Sequence, residues 1–296
     1  MKRALLIICT LLAATTLSAQ SLTVGSYNIR VANDNDARKG DGWESRHIVL
    51  CEQIRWHDFD IFGAQEVTRP QLEDMLAQLP EYDFIGGGRD DGKMQGELSP
   101  IIYKRDKFKI LDSGMFWISE NPDRVGVKGW DAALPRICTY AHIKDRTTGE
   151  KFWFFSLHMD HIGVEARREG AKLIQRKVAE MCHNERAVVV GDFNVDQHDE
   201  AYKTMLTSGM LADAYDVALH RFASNGTFQG FNSAAYTESR IDHIFVTQDV
   251  TVSNYAILTD AYWREEGDGG NAGEKNHQRR VPSDHYPVAA KIEFKR

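Results

Sequence analysis

The sequence predicts a layered α/β domain, with β-sheets packed against each other and helices covering them. Two observations support this prediction. Short runs that alternate apolar and polar residues, rich in β-branched and aromatic side chains, recur along the whole chain, as strands do. Segments with apolar residues three and four apart, the spacing of helices, lie between some of these runs. Because strands outnumber helices, packed sheets fit the pattern better than a single doubly wound sheet does.

The first residues have the layout of a secretory signal peptide. A short basic start precedes Ala4–Leu17, which is almost continuously apolar, and Ser18-Ala19-Gln20 supplies small residues for cleavage. The apolar run is shorter than the about 20 residues that cross a bilayer. We therefore expect a signal peptide at residues 1–19 and a folded domain at residues 20–296. Such a protein would be exported to the periplasm, the cell surface or the medium.

The predicted strands are short and evenly distributed. They are Leu22–Val31, Ile61–Glu66, Tyr82–Gly86, Pro100–Tyr103, Phe108–Ile118, Arg136–Ile143, Phe152–Leu157, Ala187–Asp192, Ile241–Thr247, Thr251–Leu258 and Tyr286–Glu293.

Helical spacing is clear in Glu44–Trp56 and Val164–Cys182 and weaker in Asp199–Ser208. The segment Asp260–Pro282 differs from all of these. It is rich in glycine and charged residues and has no apolar period, so it predicts a long loop, and long loops in folded domains are usually functional or disordered.

Net charge and cysteine content limit the classes of protein. The formal net charge is −7, or −9 without Lys2 and Arg3. Proteins that bind long nucleic acids usually have a basic face, so this charge argues against a processive or sequence-reading DNA protein without excluding a nuclease. Cys51, Cys138 and Cys182 follow the leader, and their odd number argues against a disulfide framework, with room for one bridge at most.

Polar clusters lie at the ends of several predicted strands. They are Ser26-Tyr27-Asn28, Gln65-Glu66, Ser156-Leu157-His158, Gly191-Asp192-Phe193-Asn194, Arg240-Ile241-Asp242-His243 and Ser283-Asp284-His285. Each has a structural explanation on its own, since Glu66 could be solvated, Asp192 could cap a turn and His158 could be a core histidine. Together they are hard to explain by capping, and strand ends are where α/β folds hold reactive groups.

These residue types fit the hydrolysis of a phosphoester. A phosphate ester is anionic and resists attack by hydroxide, so catalysis needs a hard cation, and carboxylate and amide oxygens suit Mg²⁺ or Mn²⁺. It also needs a base that titrates near neutral pH, for which histidine is the natural candidate, and a carboxylate to orient that histidine. Amide and imidazole donors must hold the phosphoryl group in line.

The same residues resemble a known family. The motifs are Ser-Tyr-Asn-Ile-Arg at 26–30, Gln65-Glu66, Gly191-Asp192-Phe193-Asn194, Arg240-Ile241-Asp242-His243-Ile244-Phe245 and Ser283-Asp284-His285-Tyr286-Pro287-Val288. Their types and order are similar to those of the endonuclease/exonuclease/phosphatase superfamily, which includes pancreatic deoxyribonuclease, exonuclease III and the inositol-polyphosphate 5-phosphatases. The resemblance spans nearly the whole chain after the leader. It implies a four-layered αββα sandwich with the site at one edge of two mixed sheets, and a metal-dependent phosphoester hydrolase.

The resemblance also implies roles for individual residues. Glu66 would bind the metal ion, with Asn28 beside it and Asp284 near it. His285 would be the general base, paired with Asp242.

The remaining implied roles concern the water and the phosphate. Asp192 would orient or activate the attacking water, and Asn194 would contact the phosphate. His158 would bind the phosphate or stabilise the leaving side. His158-Met159-Asp160-His161 stands where the family more commonly has His-Leu-Asp, which leaves the role of His161 open, and we expect it to be a neighbour of the site.

The polar segment before His285 could bind substrate. It contains Arg279 and Arg280 together with Tyr262 and Trp263. Basic and aromatic residues at the mouth of a site can hold an extra phosphate or stack a base or a sugar, but the acidic residues among them equally predict a solvated loop. With an acidic chain, we expect a small or short phosphoester: a nucleic acid fragment, an inositol phosphate or a sugar phosphate.

Two alternatives remain open at the level of sequence. The first is a zinc-dependent hydrolase, because His158, His161, His243 and His285 could supply nitrogen ligands, although their spacing matches no common zinc pattern. The second is a phosphoester-binding protein of the same fold without turnover. No protein partner and no membrane span are expected.

Overall fold

The computed structural model describes residues 21–268 and 275–295 of the chain. The predicted signal peptide, residues 1–19, lies outside the described residues.

The strands are β1 (Leu22–Asn28), β2 (Ile61–Gln65), β3 (Tyr82–Ile85), β4 (Ile101–Lys104), β5 (Phe108–Trp117), β6 (Ile137–Asp145), β7 (Lys151–His158), β8 (Ala187–Asp192), β9 (Leu211–Asp213), β10 (His220–Phe222), β11 (Asp242–Thr247), β12 (Val250–Ile257), β13 (Tyr262–Asp268), β14 (Lys275–Arg280) and β15 (Val288–Phe294). The helices are α1 (Asp34–Arg38), α2 (Trp43–Trp56), α3 (Arg69–Gln78), α4 (Val164–Cys182), α5 (Glu200–Thr207) and α6 (Ala214–Val217). Every strand and helix predicted from the sequence corresponds to one of these, with ends that differ by a few residues.

Two mixed sheets form the centre of the fold. The seven-stranded sheet has the order β10-β12-β15-β1-β2-β4-β3, and the six-stranded sheet has the order β5-β6-β7-β8-β11-β9. Near the centre of each sheet two strands run parallel, β1 with β2 and β7 with β8. Because parallel neighbours end at the same edge, Asn28 lies opposite Gln65, and His158 lies opposite Asp192. The topology therefore brings the polar strand ends together.

Apolar side chains divide between the two faces of the central strands. Phe154 of β7 belongs to the core between the sheets, whereas its neighbour Phe155 packs with α4 and α5. In the same way Val24 of β1 belongs to the core between the sheets, and Tyr27 packs with α2 and α3. Both faces of these strands are buried, which explains their almost continuous apolar runs. The layers are helices, sheet, sheet and helices, so the predicted four-layered αββα sandwich is confirmed.

Two strands stop earlier than the sequence predicted. We expected the first strand to reach Val31, but β1 ends at Asn28 because Arg30 has a left-handed backbone with φ of 59°. We expected the second to include Glu66, but β2 ends at Gln65 because Glu66 has φ of 60°. A residue in this region of backbone space cannot continue an extended strand.

The prediction of a long loop at Asp260–Pro282 is wrong for the described part of that segment. β13 and β14 pair there as an antiparallel two-stranded sheet. This hairpin is separate from the two stacked sheets, so its strands carry polar residues on both faces and leave no apolar alternation to detect. Residues 269–274 between the strands lie outside the described part of the chain.

The sequence interpretation also missed α3 and several short elements. Helix α3 has Pro70 in its first turn, and the Gln71 Oε1 atom accepts a hydrogen bond from the Thr68 backbone N–H at 3.3 Å. Proline near the start and Thr-x-x-Gln are helix-start signals that could have revealed it. The elements α1, α6, β9 and β10 are too short for a period to be visible.

The described residues contain three buried cysteines, Cys51, Cys138 and Cys182, all with free thiols. Within residues 21–268 and 275–295, no helix is both long enough and apolar enough to cross a membrane.

Candidate active site

The predicted site residues meet at one edge of the stacked sheets. Six of them, Glu66, His158, Asp192, Asn194, Asp284 and His285, line a cleft of about 450 Å³ that we call the central cleft. The other two from the strand ends, Asn28 and Asp242, are fully buried and hydrogen-bond to cleft residues. The strand ends that were predicted to hold reactive groups therefore converge in space.

Three residues of this region adopt left-handed backbone conformations. The φ angles are 59° for Arg30, 60° for Glu66 and 51° for Asn194. A non-glycine residue in this region costs about 1–2 kcal/mol, and such strain tends to occur at functional sites. Each of the three follows the end of a central strand, so the backbone turns sharply and directs the side chain toward the cleft.

His285 forms a buried pair with Asp242. The His285 Nδ1 atom lies 2.8 Å from Asp242 Oδ2, and because a carboxylate accepts, Nδ1 carries the proton. The other ring nitrogen, Nε2, is left to face the cleft and lies 3.8 Å from Asp192 Oδ2. Burial acts to lower the pKa of His285, but the charges of Asp242 and Asp192 outweigh it and raise the pKa well above the ordinary value. This is the arrangement of a histidine with an orienting carboxylate, and a divalent cation among the carboxylates would offset the charges that raise this pKa and so free Nε2 to accept a proton.

Asn28 links two carboxylates on the floor of the cleft. Its Nδ2 atom donates to Glu66 Oε1 at 3.0 Å and to Asp192 Oδ2 at 2.9 Å. Its Oδ1 atom accepts from the Arg30 backbone N–H at 3.0 Å, so the amide oxygen is already engaged. In this arrangement Asn28 organises the carboxylates around the proposed metal position through its amide nitrogen.

The carboxylates of the cleft differ in their pKa shifts. Burial acts to raise the pKa of Glu66, but hydrogen bonds from the Val31 backbone and from Asn28 outweigh it and lower the pKa. Burial raises the pKa of Asp192, and the charge of Asp242 raises it further. Burial likewise raises the pKa of Asp284. The cluster thus holds more negative charge than its protein neighbours neutralise.

This cluster has the donors that a divalent cation requires. Oxygen atoms of Glu66 and Asp192 lie within 4.8 Å of each other and of a ring nitrogen of His158, which is a neighbour rather than a ligand because Arg136 and its own proton occupy both ring nitrogens. Asp284 adds a further buried carboxylate, and Asp242 Oδ1 is buried without a hydrogen-bond partner in the described structure. Hard cations prefer oxygen ligands, and a divalent charge would offset the repulsion that raises the Asp192 pKa. The residues therefore fit a divalent metal site.

Arg136 sets the protonation of two histidines on another wall of the cleft. Its guanidinium donates to His158 Nδ1 at 3.0 Å and to His161 Nδ1 at 2.9 Å. Arginine has only donors, so both Nδ1 atoms must accept and each neutral ring carries its proton on Nε2. Burial lowers the pKa of His158 and the Arg136 charge lowers it further, which keeps that ring neutral. Asp160 lies behind this group, with an oxygen 3.4 Å from Arg136 Nε.

His158 and Asn194 present donors to the same space. Asn194 Nδ2 donates to the Met159 backbone oxygen at 3.0 Å and lies 3.1 Å from His158 Nε2. Because that Nε2 atom carries a proton, the contact joins two donors and is not itself a hydrogen bond. An oxygen of a bound anion could accept from both, which suits the phosphate-binding roles predicted for these residues.

A second cleft of about 510 Å³ adjoins the central one, and its walls include Arg30, Asp41, Phe228, Asn232, Arg279 and Arg280. Arg280, a predicted substrate-binding residue, lies in a wall where it contacts Asp41 Oδ1 at 3.0 Å and Glu266 Oε1 at 3.1 Å. Arg279, the other one, is exposed at the mouth and donates to the Ser233 backbone oxygen at 3.0 Å.

Several residues of the site were not predicted from the sequence. Arg30 contacts Asp284 at 3.5 Å and belongs to both clefts. Glu97 lines the central cleft and pairs with Arg89 at 2.7 Å. Arg136 was predicted only as the first residue of a strand. Arg30 lies in the first motif, at 26–30, but no role was predicted for it, whereas the contacts of Glu97 and Arg136 depend on segments that the motifs do not cover.

The chain is similar to known proteins over most of its length. The family model described as "Endonuclease/Exonuclease/phosphatase family" matches residues 25–285. A solved structure of an endonuclease/exonuclease/phosphatase family protein from Bacteroides thetaiotaomicron is 49% identical, with a TM-score of 0.89 over 93% of this chain and 98% of that chain. The mannosyl-6-phosphatase Bt3783 of Bacteroides thetaiotaomicron VPI-5482 is also 49% identical, with a TM-score of 0.88 over 92% of this chain and 100% of that chain.

Curated relatives are more distant. Uncharacterized protein L388 of Acanthamoeba polyphaga mimivirus is 27% identical over 52% of this chain, and the match spans 60% of that protein. The CCR4-Not complex 3'-5'-exoribonuclease subunit Ccr4 of Aspergillus oryzae is 26% identical over 48% of this chain, and only 22% of that protein is spanned. The chain thus covers less than two thirds of the length of these relatives.

Proposed function

Because the chain belongs to the endonuclease/exonuclease/phosphatase family, we propose that it is a metal-dependent phosphatase that releases phosphate from a small, hydroxyl-rich phosphomonoester such as a sugar phosphate. Members of this family are divalent-metal-dependent phosphoester hydrolases. The observation that carries the proposal is the His285–Asp242 pair at 2.8 Å, whose free ring nitrogen faces buried carboxylates in the central cleft.

The substrate class is supported by similarity and by charge. The mannosyl-6-phosphatase that is 49% identical to this chain aligns along its entire length. The formal net charge of −7 also disfavours long polyanions, which usually need a basic face. A sugar phosphate fits both observations better than a nucleic acid does.

We assign the ion as Mg²⁺ or Mn²⁺, held by Glu66 with Asp192 or Asp284 nearby. The support is the oxygen-rich donor set, which suits a hard ion better than zinc. When bound, such an ion neutralises phosphate oxygens and polarises the phosphorus centre.

The protein residues then have separate tasks. His285 Nε2 accepts a proton from the attacking water, whose oxygen bonds to phosphorus as the phosphorus–oxygen bond to the alcohol breaks. Asp242 holds the imidazole in the required tautomer and stabilises its protonated form. The leaving alcohol takes a proton from solvent, and His285 later returns its own. His158 and Asn194 donate to phosphoryl oxygens and hold the group in line.

Export is part of the proposal. The apolar run at 4–17 followed by small residues supports a signal peptide and a location in the periplasm, at the cell surface or in the medium. Sequencing the amino terminus of the mature protein would test this, because cleavage after residue 19 should leave residue 20 as the first residue.

The test of the activity is the release of phosphate from monoesters, or of the hydrolysis product from diesters, with Mg²⁺, Mn²⁺, Zn²⁺ or a chelator. The panel contains hexose phosphates, an inositol phosphate, bis-nitrophenyl phosphate, short RNA and plasmid DNA. We expect turnover of a phosphomonoester with Mg²⁺ or Mn²⁺ and none with the chelator. Activity with Zn²⁺ alone would favour a zinc hydrolase, and binding without turnover under any condition would favour a non-catalytic protein.

Substitutions test the assignment of the base. His285→Ala should lower kcat by several powers of ten, and His161→Ala should have a smaller effect. The matched control is His220→Ala, because His220 is exposed on β10 away from the clefts. Equal losses in the His285 and His161 variants would show that the base has been assigned wrongly.

A further inference from the structure

We infer that the second cleft binds the uncharged, hydroxyl-bearing leaving group of the substrate, a polyol about the size of a monosaccharide. This inference rests on the proposed phosphatase function and adds which residues recognise the alcohol. The second cleft measures about 510 Å³, within the range of small-molecule sites.

The two clefts share a wall. Arg30, Phe228 and Asp284 line both of them. Phe228 lies between the catalytic histidine and the second cleft, with its ring centre 5.0 Å from the His285 ring. A phosphoester whose phosphoryl group lies beside His285 can therefore extend past Phe228 and place its alcohol portion in the second cleft.

The deeper charges of the second cleft are already paired. Arg30 contacts Asp36 at 2.8 Å, and Arg280 contacts Asp41 at 3.0 Å. A second phosphate would have to compete with these carboxylates for the guanidinium groups. A hydroxyl group can instead donate to a carboxylate and accept from a guanidinium without breaking the pair. Paired charges thus favour a neutral polar ligand.

The mouth of the second cleft is cationic. Lys39 and Arg279 line it, and both are exposed. Exposed cations raise the local concentration of an anionic substrate, but solvent screens them, so they hold an additional phosphate weakly. They suit the capture of a monophosphate whose own anionic group binds in the central cleft.

An aromatic face and planar polar groups complete the second cleft. Phe228 is 48% exposed although it adjoins a buried histidine, so an apolar ligand surface such as the C–H face of a sugar ring could cover it. Asn232, Gln278 and Arg279 offer planar amide and guanidinium groups, which can bond to neighbouring hydroxyls in pairs.

The loop that carries Phe228 and Asn232 is held in a strained form. Phe231 has φ of 62°, which is unusual for a bulky residue. The backbone N–H groups of Gln229 and Gly230 donate to the Asp284 backbone oxygen at 3.0 and 3.1 Å. This loop is therefore fixed to the segment that carries His285, and such fixed strain is typical of ligand sites.

The experiment compares mannose 6-phosphate with cyclohexylmethyl phosphate. Both contain a six-membered ring and a primary alkoxide leaving group, but only the sugar has hydroxyl groups. The measured quantity is the ratio of the two kcat/KM values. We expect the wild-type protein to favour the sugar phosphate by about tenfold to a hundredfold, because an analogue without hydroxyls would cover the buried carboxylates of Asp36 and Asp41 and offer them no hydrogen bond.

Substitutions in the second cleft show which residues cause the preference for the sugar phosphate. Asn232→Ala and Arg279→Ala should each lower the ratio by about tenfold, as expected for the loss of one good hydrogen bond. The control is Lys275→Ala, which removes an exposed cation from the same hairpin, at a position paired with Glu265 and outside the cleft. This control should keep the wild-type ratio.

The outcomes separate the two proposals. If neither substrate is hydrolysed with Mg²⁺ or Mn²⁺, the phosphatase function fails. If both are hydrolysed equally well, or if the variants keep the wild-type ratio, the function stands and the leaving-group site is wrong. Faster turnover of fructose 1,6-bisphosphate than of either monophosphate would also overturn it, since the second cleft would then bind a phosphate.

Discussion

At the scale of single residues, Arg136 determines which ring nitrogen of His158 and of His161 carries the proton. Its two contacts force His158 and His161 to carry their protons on Nε2. The shift of the His158 pKa below its ordinary value, caused by burial and by Arg136, keeps that ring a neutral donor. Protonation of His158 would place a second proton on Nδ1, which faces the Arg136 guanidinium, so Arg136 fixes both the charge and the tautomer of this ring.

Substitution of Arg136 by lysine should disturb this geometry. A lysine ammonium is a point charge and cannot reproduce a planar fork, so at least one imidazole should lose its fixed tautomer. We expect mixed Nδ1-H and Nε2-H populations in ¹⁵N NMR of the imidazoles and a fall in kcat of about tenfold to a hundredfold. Arg146→Lys is the control, because Arg146 binds a backbone oxygen far from the clefts. Unchanged tautomers in the Arg136 variant would contradict this role.

Asp213 makes stability depend on pH at a residue outside the clefts. Its Oδ2 atom accepts from Tyr202 at 2.8 Å and from Arg240 at 2.9 Å in a buried position. Burial acts to raise the pKa of Asp213, but His243 and Arg240 outweigh it and lower the pKa to about 2. The unfolded value is about 3.9. The folded state therefore gains stability above about pH 4 that disappears as the pH falls toward 2.

We expect this contribution to be about 2–3 kcal/mol at neutral pH. The free energies of unfolding of the wild-type protein and of Asp213→Asn should be measured in urea at pH 6 and near pH 2. The gap between the two proteins should shrink by about this amount at the lower pH. A gap that is the same at both pH values would show that the Asp213 charge does not stabilise the fold.

At the scale of elements, the β13–β14 hairpin is held to the domain by arginines. Arg280 contacts Asp41, and Arg264 donates to the Gly40 backbone oxygen. Gly40 has φ of 85°, and a Cβ there would lie 2.5 Å from the Arg264 guanidinium, so glycine allows this close approach. Because ion pairs rather than an apolar face attach the hairpin, we expect it to open more easily than the stacked sheets.

Arg280→Ala should release the hairpin without unfolding the domain. Amide hydrogen exchange in 262–268 and 275–280 should become faster, while exchange in β1 and β8 should stay at wild-type rates. Lys275→Ala removes only an exposed pair and should leave the hairpin protected. Equal exchange in the Arg280 variant and the wild-type protein would mean that other contacts attach the hairpin.

The elements also show what the sequence can predict. Strands such as β7 and β8 are apolar on both faces, and α4 has regular spacing, so they were predicted nearly to the residue. The hairpin could not be recognised because ion pairs attach it. The motif residues from Asn28 to His285 were located correctly at strand ends. The Arg136 contacts escaped prediction because they depend on how the start of β6 and the loop after β7 meet in space.

At the scale of the whole molecule, the central cleft opposes the stability of the fold. Glu66, Asp192, Asp242 and Asp284 are collected there from four distant segments, and the pKa of Asp192 is raised by burial and by Asp242. Like charges in a buried position disfavour folding. The proposed cation would offset this repulsion and bind the folded state only.

The melting temperature should therefore rise with Mg²⁺ or Mn²⁺. At a concentration about a hundred times Kd the gain is about 2.7 kcal/mol, or roughly 5 °C for a domain of this size. Asp192→Asn should lose most of this rise and melt no lower than the wild-type protein in chelator. Asp112→Asn changes an exposed carboxylate and should respond to the cation as the wild-type protein does. A full cation response in the Asp192 variant would place the ion elsewhere.

The pairing of β1 with β15 has a consequence for the synthesis of the protein. Leu22 lies opposite Ile292, and the Ser283 hydroxyl donates to the Asn28 backbone oxygen across 255 residues of chain. While the ribosome is still making the later segments, β1 has no partner on one side, and its exposed edge invites association with other chains. His285, the proposed base, also emerges only shortly before β15. A chain interrupted before β15 would thus leave β1 unpaired on that side and be prone to aggregate.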